Sequence, residues 1–110
     1  MITLNQKYVL HIPCYKYQEG KLISLKNENI IDQLIEKLNR EGYNSFYITE
    51  VKGHYKTRSF NEILITIFTN QEERTTPDKI FREWYQENNN ILQQESYAYE
   101  HGNKMIIEEL

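Results

Sequence analysis

The run Glu62-Ile63-Leu64-Ile65-Thr66-Ile67-Phe68 constrains this chain more than any other stretch. Side chains of a strand alternate between two faces, and here both sets are mainly apolar: Ile63, Ile65 and Ile67 on one side, Leu64, Thr66 and Phe68 on the other. A strand of this kind loses stability if either face is wetted. It predicts a central strand covered on both faces, either beneath helices and an oligomer partner or within one crowded sheet.

The helices that supply the first cover are legible. Ile30, Ile31, Leu34, Ile35 and Leu38 recur at helical spacing, with Asp32, Glu36, Lys37 and Arg40 on the opposite side. Asn27 is a candidate cap and Gly42 a left-handed stop, which predicts a helix over about 27–41. Thr76 and Pro77 mark a second start, a cap followed by the first helical position, and Ile80, Phe81, Trp84, Asn88, Ile91 and Leu92 carry one face to about residue 92. Trp84 with Ile80 and Phe81 is expected in the core rather than in a ligand box.

Around these helices the chain alternates like strand. Residues 7–17 are rich in β-formers, with Pro13 expected near the strand's end or at a bulge and a turn at Gln18-Glu19-Gly20-Lys21. Residues 43–55 alternate, residues 56–61 are polar and predict a hairpin loop into 62–68, and residues 96–99 and 104–107 flank a turn at His101-Gly102-Asn103. The order β-α-β-β-α-β, with the last strand doubled into a hairpin, predicts an α+β, ferredoxin-like sandwich: an antiparallel sheet with two helices on one face. At 110 residues, one domain over 1–110 is expected. The second sheet face, still apolar, predicts a homo-oligomer, a dimer or trimer.

Charge and composition exclude several functions. Thirteen basic and 16 acidic side chains give a formal charge of −3, so no positive field holds a nucleic acid polymer. An RNA-binding sheet would also need aromatic and basic residues where Ile63 to Ile67 stand. No apolar run approaches the roughly 18 residues of a membrane span, and Met1-Ile2-Thr3-Leu4 lacks the pattern of a secretion signal, so a cytoplasmic location is expected. The single cysteine, Cys14, rules out an internal disulfide.

Little in the sequence announces chemistry. His11 and Cys14 have a metal-like spacing, but an odd offset in a strand sends them to opposite faces, and no metal is expected. Cys14 reads as an inert thiol. The carboxylate pairs Glu72-Glu73 and Glu108-Glu109 read as solvated charges. There is no phosphate-binding glycine loop and no nucleophile elbow, so neither catalytic residue nor cofactor is expected, and the chain reads as non-enzymatic. The strongest constellation is Gly53-His54-Tyr55-Lys56-Thr57-Arg58. Lys56 and Arg58 offer cations, His54 a titratable ring, Tyr55 a stacking face, and Gly53 room for close approach. These five residues predict a site for a small anionic or nucleotide-like ligand.

The string Gly53-His54-Tyr55-Lys56, with Glu62-Ile63-Leu64-Ile65 after it and Leu92-Gln93-Gln94-Glu95-Ser96 later, resembles a family of small uncharacterised ferredoxin-like proteins from phages and low-GC bacteria. Tyr55 stands where that family usually has tryptophan. More distantly, the architecture is similar to PII-type and CutA-type trimers, which bind ligands at subunit clefts beside the loop joining the second and third strands, although the loop here is far shorter than that of PII. The resemblance implies a phage-type oligomer that sequesters a nucleotide signal or blocks a host defence protein. The alternative is a protein-protein inhibitor or adaptor using the exposed sheet face or an edge strand.

Overall fold

The computed structural model describes residues 1–70 and 74–110; the expected carboxylate pair Glu72-Glu73 lies outside the described residues. The elements in chain order are β1 (Gln6–Pro13), β2 (Tyr15–Gln18), β3 (Lys21–Ser24), α1 (Glu28–Arg40), β4 (Phe46–Tyr55), β5 (Arg58–Thr69), α2 (Pro77–Leu92), β6 (Ser96–His101) and β7 (Lys104–Glu109). Five strands form one sheet in the order β4-β5-β1-β6-β7, antiparallel at every pairing. With β2 and β3 set aside, this is the ferredoxin-like arrangement extended by one hairpin strand. The strand read as central, β5, is interior between β4 and β1, while β1 is the middle strand.

Two expectations about strands are corrected. The strand expected over 7–17 is split, because Pro13 has no amide hydrogen to continue the ladder and the chain bends at Cys14. Beyond the bend, β2 and β3 make a separate two-stranded arm, turned by Glu19 and Gly20 at φ 53° and 77°, the positive pair that a tight hairpin needs. Leu25 N–H donates to the Cys14 carbonyl at 2.8 Å and closes the stem. The polar stretch 56–61 is mostly strand: Tyr55 pairs with Arg58, so only Lys56 and Thr57 turn. Residues 58–61 run beyond the end of β1 and pair with β4 alone, and a ribbon projecting into water accepts polar side chains.

Both helices lie on one face. Ile30, Ile31, Leu34 and Leu38 of α1 and Ile80, Phe81, Trp84, Tyr85 and Leu92 of α2 share a core with Tyr8, Leu10 and Ile12 of β1, Ile65 and Ile67 of β5, and Tyr97 and Tyr99 of β6. Trp84 is at its centre, fully buried, with Nε1–H donating to the Ile30 carbonyl at 2.6 Å and tying α2 to the start of α1. Gly42 stops α1 as expected, at φ 90°, with Tyr43 N–H reaching back to Leu38 O at 2.9 Å. The expected caps differ. Asn27 makes no side-chain cap; buried, it donates through Nδ2 to the Pro13 carbonyl at 3.0 Å and pins the helix start to the end of β1. Thr76 makes no side-chain cap either, and Pro77 opens α2. The asparagines after Trp84 finish the helix: Asn89 exchanges two hydrogen bonds with the Gln94 backbone, and Gln93 turns left-handed at φ 50°.

Candidate active site on the helix-free face

The register fixes what the other face carries. Because Ile65, Ile67, Leu10 and Ile12 point at the helices, alternation turns Leu64, Thr66 and Phe68 of β5, Val9 and His11 of β1, and Tyr47 and Thr49 of β4 to the opposite side. The same parity brings Ala98 and Glu100 of β6 and Met105 and Ile107 of β7 to that face. Tyr47 packs on Phe68 with ring centroids 6.3 Å apart. Tyr47, Met105 and Ile107 remain 51%, 53% and 67% exposed. The face is largely apolar with one charged inlay.

That inlay is His11 between two glutamates. Nε2 of His11 is 2.7 Å from Oε2 of Glu100, and Nδ1 is 3.4 Å from Oε2 of Glu62. His11 is on the middle strand and a glutamate stands on each neighbour, so the row Glu62, His11, Glu100 crosses three strands. Burial alone would push the imidazole down, but the hydrogen bonds and charges of Glu62 and Glu100 outweigh it and hold the ring above its ordinary pKa. The two carboxylates meet opposite ring nitrogens, so the three groups do not converge on one point. Among the described residues, no group of three His, Cys, Asp or Glu side chains is placed to hold a metal ion.

Gly53 belongs to this site. It lies on β4 on the same face, and a Cβ built there would meet Oε2 of Glu62 at 3.0 Å and Phe60 Cε2 at 3.1 Å. The missing side chain makes space for the Glu62 carboxylate. The rest of the expected hairpin site lies further out. His54 is exposed and pairs with Ser59, Lys56 is at the turn with φ 56°, and the Arg58 guanidinium is stacked over the Tyr17 ring of the arm at 4.5 Å. Tyr55 ends β4 opposite Arg58, and its side chain lies outside what the structure describes. The structure therefore ties Gly53 to a charged cluster and strings His54, Lys56 and Arg58 along the ribbon beyond it.

Two other clusters are satisfied internally. On the helix side, Arg82 Nε donates to the Tyr97 hydroxyl at 2.8 Å, and that hydroxyl donates to Glu108 at 2.6 Å, with Arg82 also paired to Glu108. The bonds from Tyr97 and Arg82 hold the Glu108 carboxyl below the ordinary range, so this glutamate, read from sequence as merely solvated, is structural. The Cys14 thiol is pushed up by burial and by Glu50 and Glu62, which keeps it protonated and unreactive. His101 stacks on Tyr8 with centroids 4.0 Å apart, and its Nε2 meets Oε1 of Gln6 at 2.9 Å.

Sequence reasoning did not assemble the glutamate pair. His11 entered it only beside Cys14, Glu62 was a strand residue without a role, and Glu100 fell between the strand expected at 96–99 and its turn. The available signal was charge at the outward parity of strands that are otherwise apolar: His11 between Leu10 and Ile12, and Glu62 ahead of Ile63.

By sequence, the chain matches no family model and no curated protein. By structure it is similar to a phage SAM lyase in complex with S-methyl-5'-thioadenosine, with a TM-score of 0.62, 14% identity, and coverage of 100% of this chain and 95% of that one. It is also similar to a phage SAM lyase in its apo state, with a TM-score of 0.58, 15% identity and the same coverage. At this identity the likeness is one of fold, and it extends over all of this chain and 95% of each neighbour. The expectation of a non-enzymatic module does not stand: two solved structures that share this architecture end to end are those of a lyase. Their phage source accords with the phage side of the resemblance drawn from the hairpin string, and the thioadenosine bound in one of them is a nucleotide-like small molecule. No helix among the described residues is long and apolar enough to cross a membrane.

Proposed function

We propose that this chain is a lyase acting on an adenosyl sulfonium, with S-adenosylmethionine as the substrate class and S-methyl-5'-thioadenosine as the nucleoside product. The observation that carries this reading is the pair of carboxylates, Glu62 and Glu100, set into an apolar face beside Gly53. Carboxylates in apolar surroundings attract a cation far more strongly than carboxylates in water. A sulfonium is such a cation, and its departing sulfur leaves as a neutral thioether. In the reaction, the bond from sulfur to the aminobutyrate chain breaks and its electron pair goes to sulfur. The substrate's own carboxylate takes the vacated carbon, which closes the fragment into a ring without water. Two fixed carboxylates favour this fold of the substrate, holding the sulfonium and ammonium while repelling the substrate carboxylate towards its own chain.

The ribbon supplies room for the nucleoside. Arg58 lies four positions before Glu62 on β5, roughly 13 Å at strand rise, a span that suits an adenosine. In this reading Gly53 clears the passage and Arg58, at the same parity of β5 as Glu62, reaches the base and ribose with Lys56 at the turn beyond it, while His54 falls on the opposite parity. The exposed Tyr47, Met105 and Ile107 support self-association through the helix-free face, so that a second copy roofs the site. Light scattering of the purified chain should then give the mass of a dimer or trimer; a monomer at micromolar concentration argues against the roof.

The decisive assay is incubation with S-adenosylmethionine. Chromatography should show S-methyl-5'-thioadenosine accumulating in proportion to protein and time. Absence of turnover, together with no calorimetric heat from either nucleoside, would exclude the reading.

A further inference from the structure

Glu62 and Glu100 are partly exposed, and each is turned onto His11. Only 14% of the His11 side chain is exposed, against 22% for Glu62 and 38% for Glu100, so the ring is the most enclosed of the three. An imidazole has two N–H donors only when protonated. The neutral ring keeps one, and its other nitrogen turns a lone pair towards the carboxylate it meets. A carboxylate at each nitrogen therefore favours the imidazolium.

We propose that His11 is a built-in competitor for the cationic substrate: as an imidazolium it ties up both carboxylates, and loss of its proton releases Glu62, the more loosely held, to take the sulfonium. This inference rests on the adenosyl sulfonium reading and adds to it a gate within the same site. The charged groups that face the ring are Glu62 from β5 and Glu100 from β6; directly across on β5 it meets Leu64, which does not titrate. The net effect of these contacts is to raise the ring's pKa against the opposing effect of burial. The direction follows from linkage. A cation that binds best to the deprotonated site loses affinity as pH falls below the ring's pKa, about tenfold per pH unit for one proton, and is insensitive to pH above it. His11 is a positioning residue in this scheme, acting through the carboxylates.

The test uses the full chain and two probes that differ by one methyl group and one charge. These are S-methyl-5'-thioadenosine, which is neutral, and its S-methylated sulfonium, which has no amine or carboxylate to titrate. Calorimetry from about pH 5.5 to about 8.5, the range over which histidine titrates, should show the sulfonium tightening about tenfold per unit up to a plateau, while the thioether stays level. In His11→Gln the sulfonium slope should vanish, with tight binding kept at the acid end. If both probes bind and the sulfonium ignores pH in the native chain, the competition is overturned and the lyase reading stands. If neither probe binds at any pH, the lyase reading fails and the gate falls with it. Should His11→Gln not fold, NMR titration of the native ring decides: saturating sulfonium should lower the His11 pKa and the thioether should not, and an unmoved ring overturns the proposal.

Discussion

Glu62→Gln and Glu100→Gln should each reduce kcat/KM for S-adenosylmethionine by about a hundredfold or more, the scale on which removal of a fixed charged partner acts at a reacting centre. Glutamine keeps the shape of glutamate and removes only its charge, so the loss reads electrostatics rather than packing. The double variant should fall by much less than the product of the two losses, because groups that grip one substrate act as a unit. Each single change should also lower the His11 pKa, since each takes away one of the two groups that raise it. That second readout matters: a variant that loses activity with an unmoved ring would place the loss elsewhere than in this row. Full activity in both variants would mean that the reaction takes place elsewhere on the molecule.

Trp84→Ala should be the most damaging single change to stability. The side chain is fully buried, stacks on Phe81 at 5.6 Å, and donates its only N–H to the Ile30 carbonyl across to the other helix. Emptying such a site removes about 3–5 kcal/mol from a total of about 5–15 kcal/mol for a typical domain. Urea unfolding should show a midpoint shifted far down, or no folded baseline. Trp84→Phe keeps most of the volume but removes the bond from α2 to the Ile30 carbonyl, a loss of about 0.5–1.5 kcal/mol. An alanine variant with the native midpoint would mean that Trp84 is not where the two helices are joined.

The fold was legible where local pattern and tertiary environment agree. The stripe Ile30, Ile31, Leu34 and Leu38 is buried against the sheet, and the doubly apolar strand lies inside it with Ile65 and Ile67 towards the helices and Leu64 and Phe68 away. Pattern misled where composition stood in for position. Arg58, Ser59 and Asn61 look like a loop because they are polar, yet they pair with β4 where the ribbon leaves the sheet. Asn27 has the chemistry of a cap, and burial diverted its amide to Pro13 instead.

The site was harder to read for a different reason. His11 and Glu100 are 89 positions apart and meet at 2.7 Å only because β1 and β6 pair in one register. No local window contains that information. Of the residues singled out in the sequence, Gly53 turned out to matter for a reason local reading does not supply, the space it leaves for Glu62.

The arm formed by β2 and β3 enters and leaves the sandwich at a single point, where Leu25 N–H meets the Cys14 carbonyl. Beyond that gate it touches the body through the Gln94 amide on the Tyr15 carbonyl and through Arg58 over Tyr17. An insertion whose two ends are already joined exerts no leverage on its host, so its length is free to drift while β1 and α1 stay in place. Trimming it back to the gate would strip the aromatic plate from Arg58 and the Tyr15 carbonyl from the Gln94 amide while the pairing of the five-stranded platform stays in place, making the arm a natural place for grafting.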